Sequence, residues 1–186
     1  MAHAFQLAPG RTEARHTLAD TIDRELYLAR SGKAHNPALA HLDQTHNIPG
    51  TAGYLLKSVA AGSKDPDTPR MLEAIRACRD ADPESPTFGC LKWYLEDPAI
   101  HDTNASFFTC FSLSVLSLFH REALTEEEQA GVRAVFADVL PWFRRIAEGP
   151  SLFYPNKCLC DAAMLLAAGH VLEDAAVLEE GRAFCR

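Results

Sequence analysis

Basic residues are scarce and never run together. Eighteen Lys and Arg stand against 25 Asp and Glu, a net charge of −7, which leaves little to neutralise a phosphate backbone. No nucleic-acid partner is expected. The amino terminus, Met1 to Pro9, lacks both the positive start and the apolar core of a secretion signal, so a cytoplasmic location is expected. The chain has no glycine-rich phosphate loop, no nucleophile elbow and no histidine pair on one helix face. Nucleotide, serine-hydrolase and zinc-peptidase chemistry fall away with them. The six cysteines (Cys78, Cys90, Cys110, Cys158, Cys160 and Cys185) lack the dense, loop-rich setting of a disulfide scaffold. Cys110 and Cys185 are expected as small buried hydrophobes. Cys158 and Cys160 have neither the gap nor the second pair of a zinc knuckle, and His35, His41 and His46 fit no helical ligand pair and are expected at the surface. No metal and no cofactor is expected.

Uncharged sequence, by contrast, is plentiful. Ala105 to Phe119 carries no charge, and Phe107, Phe108, Phe111, Leu113, Val115, Leu116, Leu118 and Phe119 surround every side of a helical wheel. The stretch is therefore expected as an enclosed inner helix. It is shorter than the roughly 18 to 20 residues a bilayer span requires, so no membrane partner is expected. Its polar start, His101-Asp102-Thr103-Asn104, is expected at the mouth of whatever the helix lines.

The rest of the chain reads as further helices with marked ends. Leu18, Ile22, Leu26 and Ala29 form one apolar stripe of a charged helix that Ser31-Gly32 ends. Lys33 to Gly50 reads as turns around at most a short helix over residues 38–44. Residues 51–61 follow as a helix through Tyr54, Leu55, Leu56 and Val59. Asp67 or Thr68 then caps another, with Pro69 in its first turn. Prolines 83, 86 and 98 exclude a long helix between Asp80 and Ile100, where residues 90–95 suit one or two turns presenting Trp93 and Tyr94. Thr125 with Glu128 reads as a capping box opening an amphipathic helix that Pro141 bends and Gly149-Pro150 ends. A nearly uncharged helix over residues 158–170 and a final amphipathic segment complete an alternation of enclosed and amphipathic helices. This predicts an all-α chain, antiparallel helical hairpins in two layers, as one domain over residues 1–186 with residues 1–50 peripheral.

That alternation, the polar knot at His101-Asp102-Thr103-Asn104 and the loop Phe153-Tyr154-Pro155-Asn156-Lys157 before the next inner helix resemble a six-hairpin alpha/alpha toroid of glycoside hydrolases and polysaccharide lyases. The resemblance covers roughly residues 50–186. It implies a carbohydrate substrate, a cleft where inner helices converge, and hydrolysis or elimination there. With about seven helices where the toroid has twelve, the chain is expected to be an incomplete ring, a partial toroid with an apolar flank suited to self-association. Hydrolysis needs two carboxyl groups across the cleft; Asp102 and Asp161 are the candidates, with Asp97 a third. Elimination needs a base and a neutraliser for the sugar carboxylate, and His101, Asn104 and Tyr154 are of the right types. Trp93, Tyr94 and Tyr154 could form a sugar platform, and Asn156 and Lys157 could hold a sugar acid. Each also has a plainer reading: Asp102 as a helix cap, Asp161 as a buried hydrogen-bonding group, the aromatics as plugs of hairpin ends. The alternative for the whole chain is a non-catalytic helical scaffold that binds a protein.

Overall fold

The computed structural model of the protein describes residues 21–149 and 155–185, the second span with side chains from Lys157 onward. Three short strands, β1 (Ile22–Asp23), β2 (Leu28–Ser31) and β3 (Thr45–Asn47), form an antiparallel sheet in that order. Six α-helices follow among the described residues: α1 (Ile48–Ala60), α2 (Thr68–Ala77), α3 (Asn104–Phe119), α4 (Glu126–Glu148), α5 (Pro155–Val171) and α6 (Ala175–Phe184). The all-α expectation is thus corrected to a mixed α/β chain, and with it the partial-toroid architecture.

The correction has a local cause. Residues 21–31 do not form the expected helix, whose earlier part through Leu18 lies outside the described residues: the chain reverses at Tyr27, whose φ is +56°. Asp23 builds the reversal by accepting hydrogen bonds from the backbone N–H of Glu25 (2.9 Å) and Leu26 (3.2 Å), the local bonding by which Asp favours turns over helices. Those bonds hold the Asp23 carboxyl down at a pKa of about 2. Ile22 then pairs with Ala29, and Leu26, expected on the apolar stripe, is exposed. Of the next expected helix only a 3-10 turn at Pro37–Leu39 forms.

The helix starts follow their capping residues. Asn47 accepts from Gly50 N at 2.6 Å to open α1, with Pro49 in the first turn where it needs no donor. At α4 the Thr125 and Glu128 capping box is present, and Lys64 Nζ holds the buried Glu128 carboxylate at 2.9 Å. Pro141 lies inside α4, which continues through it to Glu148.

The helices pack with α3 between α1 and α5, α2 behind against α1 and α4, and α6 on α5. The α5–α6 approach depends on glycine: a Cβ at Gly169 would lie 2.5 Å from the Leu178 backbone nitrogen. Phe136 and Phe143 of α4, Met71, Leu72 and Ile75 of α2, and Leu113 and Leu116 of α3 are fully buried between them. No helix among the described residues is long and apolar enough to cross a membrane.

The expectation that α3 is enclosed on all sides is only half met. Ala105, Thr109, Cys110, Leu113 and Leu116 are buried, but Phe108, Phe111, Leu118 and Phe119 stand 47 to 75% exposed along one face. Absence of charge marks what a helix tolerates, and it does not place a neighbour on every side.

Candidate functional site

The segment after α2 is not helical but runs through turns and two isolated bridges. Its residues 91–97 are clamped between the sheet and α3. Ile48 N donates to Trp93 O (2.9 Å) and Leu95 N to His46 O (3.0 Å), so that Tyr94 bridges to Asn47 beside β3. On the other side Leu91 N donates to the buried Ser106 hydroxyl of α3 (2.8 Å). His46 secures the same junction, with Nδ1 2.6 Å from Glu96 and Nε2 3.4 Å from Asp23. It is thus a half-buried tie, not the surface histidine expected. Asp97, the third candidate carboxylate, is structural too: buried, it accepts from Asn36 Nδ2 (2.6 Å) and from Tyr94 N (2.9 Å).

This clamp brings four of the expected site residues, Trp93, Tyr94, His101 and Asp102, around a histidine that the sequence reading left at the surface. His35 Nδ1 lies 3.1 Å from the Tyr94 hydroxyl, and its Nε2 lies 3.7 Å from Asp102 Oδ2. The Trp93 ring meets the imidazole edge-on at 4.6 Å between centroids, and the exposed His101 ring lies 6.2 Å away. Asp102 also accepts from Asn104 N at 2.9 Å; it stands one residue ahead of the N-cap Thr103, and this local bond coexists with its place beside His35. Asn104 stands half-buried at the first position of α3, a sixteen-residue helix whose N-terminal dipole end favours an anion. From Trp93 an aromatic series runs along α3: Phe108 at 5.5 Å, then Phe107 and Phe111.

Asp161 and Lys157 do not join this cluster. They lie one turn apart on α5 and pair with each other, Lys157 Nζ 3.2 Å from Asp161 Oδ2. Asp161 is buried, and burial raises its pKa above the ordinary carboxylate value despite the neighbouring ammonium. The pair lines a cavity of about 330 Å³ with Thr103, Trp142, Arg145 and Ile146. Tyr154 and the Asn156 side chain lie outside the described residues.

No disulfide joins any of the six cysteines, all of which lie among the described residues. Burial pushes the Cys78 and Cys90 thiols up to about 11 and Cys110 higher still, which suits inert packing groups. Cys185, expected buried, is exposed, because α6 turns Val177 and Gly181 to the core and ends before it. Among the described residues no group of three His, Cys, Asp or Glu is disposed to hold a metal ion.

His35 was missed because its partners lie about 60 residues further along the chain. In sequence it offered only the Asn36-Pro37 turn after it. In comparisons with known proteins, no protein family, curated protein or solved structure matches the chain.

Proposed function

We propose that the rim formed by His35, Trp93, Tyr94, His101 and Asp102 binds a polysaccharide or oligosaccharide and cleaves it by elimination. The observation that carries this reading is the convergence of phenol and carboxylate on His35, with the Trp93 indole edge-on to it and the His101 ring 6.2 Å away. Elimination of a sugar acid needs a base that lifts the proton next to the carboxylate and a group that offsets the negative charge left behind. His101, exposed at the rim, is the base: as the carbon–carbon double bond forms and the glycosidic C–O bond breaks, the imidazolium it becomes returns the proton to the departing oxygen. Asn104 and the N-terminal end of α3 face the sugar carboxylate, and Asp102 with Tyr94 orients His35 as the second imidazole. Trp93 supplies the flat apolar surface on which a pyranose face rests. Hydrolysis fits less well, because it asks for two carboxyl groups facing each other across the cleft. Asp102 stands among nitrogen and hydroxyl groups, while Asp161 is enclosed with Lys157 in the separate cavity.

The test uses a panel of uronate-containing polysaccharides. Elimination forms one carbon–carbon double bond for every new reducing end, so ultraviolet absorbance and reducing ends rise together. Reducing ends without absorbance would replace elimination by hydrolysis, and no change in either would remove the reading.

A second reading rests on a different observation, the exposed face of α3. Phe108, Phe111, Leu118 and Phe119 give an uncharged apolar surface of the kind that marks an association site. Its occupant on this reading is a second copy of the chain. Two copies, each of net charge −7, repel least where they meet through a charge-free stripe. Sedimentation should then give a dimer that Phe111→Glu and Leu118→Glu convert to monomer without loss of helical signal. A wild-type monomer at high concentration contradicts this reading.

A further inference from the structure

Two nitrogens of one residue meet the Tyr94 hydroxyl. The His35 backbone N–H donates to it at 3.4 Å, and His35 Nδ1 lies 3.1 Å away. Tyr94 is 4% exposed, so its hydroxyl proton needs an acceptor. Of the two nitrogens the backbone amide only donates, and among the described residues the hydroxyl makes no third hydrogen bond. The O–H is therefore directed at Nδ1, which accepts it as an unprotonated ring nitrogen. A neutral imidazole carries its one proton on the other nitrogen, here Nε2.

The far side of the ring gives the same answer independently. Nε2 faces Asp102 Oδ2 at 3.7 Å. An ionised carboxylate only accepts, so an Nε2 lone pair there would set acceptor against acceptor, while Nε2–H sets a donor before it. The gap is longer than a direct hydrogen bond, and 43% of the His35 side chain is exposed, so Nε2–H stays open to the rim. The contact is also held from behind. Asn36, next in the chain, donates from Nδ2 to the buried Asp97 carboxylate at 2.6 Å, and the other oxygen of that carboxylate accepts from Tyr94 N at 2.9 Å. The two segments that bring His35 and Tyr94 together thus hang on one carboxylate.

We propose that Tyr94 is a positioning residue that locks His35 in the tautomer with its proton on Nε2, and so makes His35 a hydrogen-bond donor at the rim that is unable to act as a base. Neutral His35 has no lone pair left to lift a proton, since the phenol takes Nδ1 and Nε2 is protonated. The role of base then falls to His101 alone. The lock stands on the geometry around His35, and its consequence for cleavage rests on the carbohydrate reading of the rim.

Nitrogen NMR reads the lock directly. In ¹⁵N-labelled protein in alkaline solution, where imidazole rings are neutral, protonated and unprotonated ring nitrogens resonate far apart, and His35→Gln identifies the His35 pair among the eight histidines. The expected result is a protonated Nε2 and an unprotonated Nδ1 in the wild type. In Tyr94→Phe the two shifts should move toward each other as the second tautomer becomes populated. A wild-type proton on Nδ1, or an unchanged pair of shifts in Tyr94→Phe, overturns the lock. On a cleaved polysaccharide Tyr94→Phe should lower kcat about fivefold, the net worth of one hydrogen bond, with KM unchanged. It should cost nothing further in a His35→Ala background. An equal loss in both backgrounds would show that Tyr94 acts through packing and not through His35, which overturns its positioning role. A wild type that cleaves nothing removes the carbohydrate reading, while the nitrogen shifts still decide the lock.

Discussion

Asp65→Ala should lower stability by about 3 kcal/mol, since removing one partner of a buried ion pair costs about 3–5 kcal/mol and the exposed half of Arg24 regains water. The carboxylate is 3% exposed and accepts from Arg24 at 2.9 and 2.8 Å, from the Tyr54 hydroxyl at 2.5 Å and from Asp67 N at 2.9 Å. It therefore joins the β1–β2 turn, α1 and the start of α2, and its loss strands the buried Tyr54 hydroxyl. A domain of this size moves by about 2–4 °C in Tm per kcal/mol, so calorimetry should show a fall of about 6–12 °C. The pH dependence has a fixed sign. Burial alone would raise the Asp65 pKa, but Arg24, Tyr54 and the Asp67 N–H outweigh it and leave it below the ordinary 3.8. The stabilisation is thus complete above pH 3.8 and is lost as the pH falls through the lowered folded value. Wild type and variant should converge in acid. A gap in Tm that persists unchanged at acid pH would show that the carboxylate charge is not its source.

Replacing His101 with alanine should reduce kcat/KM on a cleaved polysaccharide by about 10²–10⁴-fold, the usual contribution of a positioned general base. The loss should fall on kcat. His35→Ala removes a positioning residue and should cost less, on the order of tenfold, again in kcat. Trp93→Ala should act the other way, raising KM with kcat little changed, because a platform binds ground state and transition state alike. An equal effect of all three on KM alone would make the rim a binding surface without chemistry.

Legibility in the sequence followed the range of the interactions. Helix-start signals are local, so the start of α4 could be read from the Thr125–Glu128 capping box and that of α2 from Pro69 in its first turn, although Asp67 there makes no side-chain cap bond. The sheet could not. Ile22, Leu26 and Ala29 fall at helical spacing, and only the reversal at Tyr27, with β3 arriving some 18 residues later, turns them into a hairpin. Residues 91–97 failed similarly, since their partners are Arg79 on one side and Asn47 on the other. At the site, His101 and Asp102 were visible because they sit at the head of α3. His35 was not, because a lone histidine in a turn carries no sign of the tyrosine and aspartate that the fold brings to it. The exposed side of α3 was misread for a related reason: apolar residues all round a helix set no number of neighbours, and here Phe111 and Leu118 are about half exposed.

The most direct test of the rim as a carbohydrate site is a crystal structure of the protein with a uronate oligosaccharide bound. The account predicts a pyranose ring stacked on Trp93, with the proton next to its carboxylate turned toward His101 and its carboxylate at Asn104 and the head of α3. A rim covered by another protein surface lying on Trp93 and Phe108, with the sugar absent or bound elsewhere, would contradict it.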